Sequence, residues 1–188
     1  MKKISEKSKK KKEHILQSTI ELIVEIGLEK ISINKVVNKA NVSKGGFYYY
    51  FSNIDDLIKE TFIFSINNSL EGIKIEQGVS LEKNLKQFNR DLIQSIKHKS
   101  ENLSMMFLFI SKCFQDPKYK QEFVKMKKRI MEENIVSKEL TEHYSIDQKL
   151  LKIVDMLSIG MIVHGLMDED EDGLIKLCDD IVDKLLVK

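Results

Sequence analysis

Ala40-Asn41-Val42-Ser43-Lys44-Gly45-Gly46-Phe47-Tyr48-Tyr49-Tyr50-Phe51 is the stretch whose reading decides the fold. Asn41-Val42-Ser43 reads as a tight turn between a helix ending at Ala40 and a second helix from Lys44 to about Phe51, with Ser43 as its cap. Two glycines inside a helix cost about 1 kcal/mol each relative to alanine, so they need a reason. One reason is a close helix–helix approach; the other is bare backbone brought close to a partner. Three consecutive tyrosines cannot all face a core. Phe47 and Phe51, four apart, share a face and anchor inward. That leaves Tyr48 and Tyr49 on other faces, with hydroxyls free to bond phosphate. A helix thin at its start and polar-aromatic further on suits the major groove of DNA.

Upstream, Ser32 is the expected cap of a helix over Ile33 to Lys39, with Ile33, Val36, Val37 and Ala40 facing inward. Asn34, Lys35 and Asn38 stay polar and suit a backbone phosphate. A first helix is expected from about Lys9 to Glu25. Ile15, Thr19, Leu22 and Ile26 form its stripe, flanked by Leu16, Ile20 and Ile23, and Gly27 stops it. Residues 1–12 carry almost no apolar content and read as a mobile arm becoming helical near its end. Two readings of the arm stay open, a solubilising tail and a phosphate or minor-groove contact. Residues 1–52 hold 11 lysines against 5 glutamates, within a chain of net charge +2, so the remainder is net negative. A basic first third on an acidic body implies that only the first part meets a polyanion.

Downstream, Asn53 with Asp55 and Asp56 starts a fourth helix through Leu57, Ile58, Phe62, Ile66 and Leu70, and Gly72 to Gly78 reads as a loop or frayed end. Ser80 caps a segment with Leu81, Leu85, Phe88, Leu92 and Ile96. Residues 101–115 are apolar on nearly all sides and are expected to be a central helix. Asp116-Pro117 starts the next, through Tyr119, Phe123, Met126 and Ile130. Glu139 to Tyr144 reads as a connector. Ser145 or Asp147 opens a helix on which Leu150, Val154, Leu157, Met161 and His164 repeat at four and three. Gly160 and Gly165 on it permit close contact. The acidic run 168–172 reads as a solvated loop. A last helix shows Leu174, Leu177, Ile181 and Leu185. With a single proline and eight glycines, the chain is expected to be all-α, about nine helices, divided into a head over 1–52 and a regulatory and dimerisation body over 53–188.

At Ile15 to Leu57 the sequence resembles the DNA-binding domain of TetR-family transcriptional regulators. The resemblance rests on the apolar first helix ending at Gly27, Ser32 opening the second, and Val36-Val37…Ala40-Asn41-Val42-Ser43-Lys44-Gly45…Tyr48…Phe51…Leu57. It implies a helical homodimer whose third helix enters the major groove of a near-palindromic operator. DNA contacts are then implied at Ser32, Lys35, Ser43, Lys44, Gly45, Gly46, Tyr48 and Tyr49. Two positions depart from the family pattern. Asn41 replaces a glycine in the turn, which is mild because Asn also tolerates a left-handed backbone. Ile54 stands where a phosphate-binding lysine is common, with Lys59 only a loose substitute.

Enzyme chemistry finds no support. The four histidines fall on separate elements without metal-ligand spacing, and no phosphate loop or nucleophile elbow is present, so no catalytic residue, metal or cofactor is expected. Cys113 and Cys178 read as ordinary buried thiols, with redox sensing as the alternative. No apolar run approaches the ~18 residues of a membrane span, and no secretory apolar core follows the lysines, so a cytoplasmic protein without a membrane partner is expected. Phe88, Met105, Met106, Phe109, Phe114, Phe123, Met126, Met161 and His164 are candidate walls of a cavity for a small lipophilic effector, with Asn102 as a further polar contact; filling a core is the alternative for each apolar one. Leu150, Val154, Leu157, Met161, Leu174, Leu177, Ile181 and Leu185 are the candidate dimer seam, with intramolecular core as its alternative.

Overall fold

The computed structural model describes residues 6–96, 98–133, 135–167 and 170–186. Among them it has ten α-helices, one 3₁₀ turn and no strand: α1 (Glu6–Ile26), the turn (Leu28–Lys30), α2 (Ile33–Lys39), α3 (Lys44–Tyr50), α4 (Ile54–Ser69), α5 (Leu81–Ser95), α6 (Ser100–Gln115), α7 (Pro117–Glu133), α8 (Ile135–Tyr144), α9 (Gln148–Met167) and α10 (Glu171–Leu186). The chain is all-α, as its composition implies.

Most helix starts are set by one side-chain oxygen. Ser32 accepts from the Lys35 N–H, Ser43 from Gly46, and Ser80 from Lys83. Asn53 accepts from the Asp56 N–H at 2.8 Å, while the Asp56 carboxylate reaches back to the Ser52 N–H at 2.9 Å. Each satisfies an orphan donor of a first turn. Asp147 opens α9 by accepting from Leu150 at 2.7 Å, which decides between it and Ser145. Gly27, at φ 85°, ends α1 in the left-handed region.

Three expectations change. Residues 6–12 are part of α1, where Lys10–Glu6 and Lys9–Glu13 support the helix at i,i+4 spacing; the rest of the expected arm, residues 1–5, lies outside the described residues. Glu139 to Tyr144 is helical because Val136 and Leu140 are four apart and both buried. Of the acidic run, residues 168–169 lie outside the described residues, and the remainder is a helix start: Asp170 accepts from the Gly173 N–H at 2.8 Å, and Glu171 and Asp172 form the first turn of α10.

The chain forms two compact units. The first holds the residues to Ser69 together with Glu101–Met126. One part of its core gathers Ile15, Leu16, Leu22, Val36, Val37, Ala40, Phe47, Phe51 and Leu57 from α1 to α4. A second part is aromatic. Phe62 of α4 stacks on Phe109 of α6 at 4.2 Å and meets Phe123 of α7 edge-on at 5.8 Å. Two ion pairs join α4 to α7, Lys59–Glu122 at 2.7 Å and Lys118–Asp55 at 2.6 Å, and Lys112 of α6 pairs with Glu29 of the 3₁₀ turn at 2.5 Å. Glu122 accepts from Lys59 and Lys125, and these two ammonium groups hold its carboxyl down to about 2. Lys59 is thereby committed within the protein, which argues against it as a phosphate-binding substitute. α6 is not buried all round, because Leu108 and Phe114 face outward.

The second unit holds Leu70–Ser100 and Lys127–Lys188. Here α5 packs on α9 and α10, and α10 on α9. Gly165 permits the α9 approach: a Cβ there would lie 2.6 Å from Ile96 Cδ1. Arg90–Asp179 and Lys86–Asp183 tie α5 to α10. The segment before α5 is held rather than frayed. Buried Asn84 brackets Glu76, accepting from its N–H and donating to its carbonyl, both at 2.9 Å, and Tyr144 donates to the Val79 carbonyl at 2.5 Å. Burial pushes the Cys178 thiol up, and Cys113, half-buried, likewise.

α9 corrects the reading that no apolar run suits a membrane. By length and composition alone, Gln148–Met167 is long and apolar enough to cross one.

Candidate DNA-binding interface

The turn between α2 and α3 is built by backbone geometry. Asn41 sits at φ 51°, which Asn tolerates better than most residues. The Val42 N–H donates to the Val37 carbonyl at 2.9 Å. His14 of α1 braces this corner: its Nε2 donates to the Ala40 carbonyl at 3.0 Å, which fixes the proton on that nitrogen because a carbonyl can only accept.

α3 divides its aromatics as its spacing implies. Phe47 and Phe51 are fully buried, with ring centroids 5.5 Å apart. Tyr48 is exposed, and Tyr49 is 74% exposed. Tyr50 is half-buried and shares a hydrogen bond with Ser8 at 3.1 Å. The sequence missed this tether and that of His14, since partners 42 and 26 residues apart leave no local pattern. Lys12 completes the brace, paired with Glu60 at 3.0 Å and lying over the Phe51 ring at 5.6 Å.

The two glycines are now distinguishable. A Cβ on Gly45 would meet nothing closer than Ser43 Oγ at 3.9 Å, so no neighbouring helix requires that glycine. On Gly46 it would press on the same oxygen at 3.3 Å and crowd the cap. Lys44 and Gly45 are exposed at the start of α3. Ser43 and Ser32 spend an oxygen lone pair on capping but keep their hydroxyl protons to donate. Lys35 is exposed on α2, its ammonium resting on the Lys30 carbonyl at 2.9 Å. These side chains can donate to phosphate oxygens or base edges.

The same residues carry a family signature. Residues 15–61 match the sequence model described as bacterial regulatory proteins, tetR family. Over these residues the chain has the sequence of a TetR-family DNA-binding domain. It is 44% identical over 64 residues to a protein of Bacillus subtilis (strain 168) named as the uncharacterized HTH-type transcriptional regulator YvdT. That alignment spans 34% of this chain and 33% of YvdT, so the match covers a third of the relative's length. Solved structures extend the likeness of fold along the chain. A TetR family transcription regulator from Marinobacter aquaeolei VT8 superposes with a TM-score of 0.62 at 16% identity, covering 95% of this chain and 96% of that one. Salmonella enterica GusR gives 0.69 at 13% identity, covering 94% and 95%.

The expected cavity residues do not form one group. Met105, Met106, Phe109, Phe114, Phe123 and Met126 belong to the first unit, and Phe88, Met161 and His164 to the second. Phe109 and Phe123 stand in the aromatic cluster on Phe62. Phe114 is 88% exposed near the end of α6, where it walls nothing. Asn102 is half-buried, with its carbonyl oxygen unpartnered. Two clefts of the second unit, about 580 and 520 Å³, are lined by other residues, Asp91, His98 and Lys99 among them in the first and His143 and Tyr144 in the second. Among the described residues no His, Cys, Asp and Glu group suits a metal.

The expected seam on α9 and α10 is partly core. Met161 and Leu174 are buried within the second unit. Leu150, Val154, Leu157, Ile181 and Leu185 are half-buried, and Leu177 is exposed. A more open ridge lies beside them on α9: Met156 at 63% exposure, Ile159, Leu166, and Met167 at 81%.

Proposed function

We propose that this TetR-family regulator is a homodimeric, sequence-specific DNA-binding repressor, cytoplasmic and non-enzymatic, released from a near-palindromic operator by a small lipophilic ligand. In this reading residues 1–52 are the DNA-binding head and 53–188 the regulatory and dimerisation body. The observation that carries DNA binding is the outward face of α3. Lys44, Gly45, Tyr48 and Tyr49 stand exposed on a helix whose opposite face, Phe47, is fully buried. Two copies of that face, ~34–36 Å apart, fit successive major grooves. Lys44 and Tyr49 read bases or phosphates, while Ser32, Lys35, Ser43 and Tyr48 fix register on the backbone.

Homodimerisation is supported by α9, of whose most apolar stretch only 17% is buried. A partner copy would cover that ridge and remove its apolar side chains from water. Release requires a ligand that prefers the body in a state with the heads wrongly spaced; a coupling of ~1–3 kcal/mol changes affinity 5- to 150-fold. One observation favours an alternative without a small-molecule switch, an activator or architectural protein: the Phe62, Phe109 and Phe123 rings fill space that a cavity would use.

The test is selection of bound sequences from random duplexes, repeated with lipophilic candidates. A palindrome with half-sites one turn apart is expected. Some ~8 phosphate contacts would lower affinity by on the order of 10³–10⁵ between 50 and 200 mM salt. Absence of any salt-sensitive shift would remove the reading. A ligand that binds tightly yet leaves operator affinity unchanged would remove the switch alone.

A further inference from the structure

The lysines of the head fall into two classes. Lys9, Lys10, Lys12 and Lys39 each pair with a carboxylate: Glu13, Glu6, Glu60, and Glu21 with Glu25. Among the described residues of α1 to α3, Lys7, Lys11, Lys30, Lys35 and Lys44 form no ion pair. Lys35 and Lys44 already belong to the α2–α3 face. Lys7 and Lys11 lie elsewhere, both exposed and one turn apart on α1. His14, three residues after Lys11, shares their side of the helix. Its bond to the Ala40 carbonyl sets that side toward the corner that leads into α3. On the neighbouring side of α1, Ser8 bonds the Tyr50 hydroxyl and Lys12 bonds Glu60. The first two turns of α1 are therefore fixed to both ends of the α3 region.

This placement is unfavourable without a partner. Like charges at i,i+4 repel. The neighbouring lysines are relieved by glutamates; these two are not. A polyanion at the same end of the head would relieve both.

We propose that Lys7 and Lys11 form a second phosphate-binding site, which grips the backbone of duplex DNA flanking the segment read by α3. The inference rests on the DNA-binding reading above and extends its footprint. The contact is to phosphate, so it adds affinity without sequence preference.

The full-length chain is titrated by fluorescence anisotropy against its selected operator, in duplexes with long and short flanks and at several salt concentrations. The expected result for Lys7→Gln/Lys11→Gln is weaker binding to every sequence and an unchanged selected consensus. The slope of log affinity on log salt falls by ~0.9 for each phosphate that a lysine no longer neutralises, up to about 4 for a dimer. Lys9→Gln/Lys10→Gln, which removes the paired lysines, is expected to leave the slope nearly unchanged. Hydroxyl-radical footprints should lose protection only in the flank. Tyr50→Phe, which cuts the Ser8 tether while keeping the ring, should blur that flanking protection and supplies a second readout. An unchanged slope and footprint in Lys7→Gln/Lys11→Gln, with wild type binding normally, overturns this inference alone. Equal weakening in the two lysine pairs reduces it to net charge and also overturns it. No selective binding by wild type removes the underlying reading with it.

Discussion

α3 and α9 both hold large non-polar side chains out toward solvent, and they do so with different chemistry. On α3 the exposed groups are Tyr48 and Tyr49, each an apolar ring with a hydroxyl at its tip. On α9 they are Met156, Ile159, Leu166 and Met167, with no hydrogen-bonding group apart from a thioether. A tyrosine face can meet a wet, charged partner and satisfy it. A hydrocarbon ridge gains only by excluding water against a surface like itself. One molecule thus carries a surface suited to phosphate and another suited to a second copy.

The largest test of the contrast sits beneath the tyrosines. Phe47→Ala removes a fully buried ring and is expected to cost about 3–5 kcal/mol, read by chemical denaturation, with loss of operator binding. A milder cost would mean that α3 is held by its caps rather than by this ring. Next, Met156→Lys with Ile159→Lys places charge on the α9 ridge. Self-association should weaken by about 2 kcal/mol or more, roughly thirtyfold, seen as monomer in sedimentation velocity at low micromolar concentration. An unaltered dimer would mean that the ridge is not the copy-to-copy surface. Tyr49→Phe comes third. It should leave stability within about 0.5 kcal/mol yet weaken operator binding by about 1 kcal/mol. Equal affinity would make the exposed tyrosine face no more specific than the hydrocarbon one.

The smallest effect concerns the contacts that tie α4 to α7. Lys59 and Lys125 hold the Glu122 carboxyl down to about 2, from an ordinary value of 4.5. A depressed carboxylate stabilises above its unfolded value and loses that contribution as pH falls from about 4.5 to about 2. Glu122→Gln should therefore flatten the stability curve in that window, its small cost complete at neutral pH and gone near pH 2. A variant with the wild-type acid dependence would show that the ion pair contributes nothing measurable.

Much of the head was legible because its determinants are local. Ser32, Ser43, Asn53 and Ser80 cap N–H groups three residues away, so each announces itself in the sequence. Phe47 and Phe51 share a face by spacing alone. The tethers Ser8–Tyr50 and His14–Ala40 were not legible, and nor was the use of Lys59 on Glu122. A lysine has the same sequence appearance whether or not a carboxylate far along the chain neutralises it. α9 misled for a related reason. It is apolar around much of its circumference, so spacing picks several equally good stripes. Contact with α5 and α10, and the closeness of Gly165 to Ile96, chose the buried one. Leu151, Met161 and Ile162 went inward with it, and Met156, Ile159, Leu166 and Met167 were left out.

The sequence by itself therefore determined an all-helical chain with a capped turn, two inward phenylalanines and two outward tyrosines. These depend on interactions within about one helical turn, which residue order fixes. Tertiary structure alone decided that Lys12, Lys39 and Lys59 are neutralised and which side of α9 remains bare. Both depend on partners brought together from distant positions, and no local pattern encodes them.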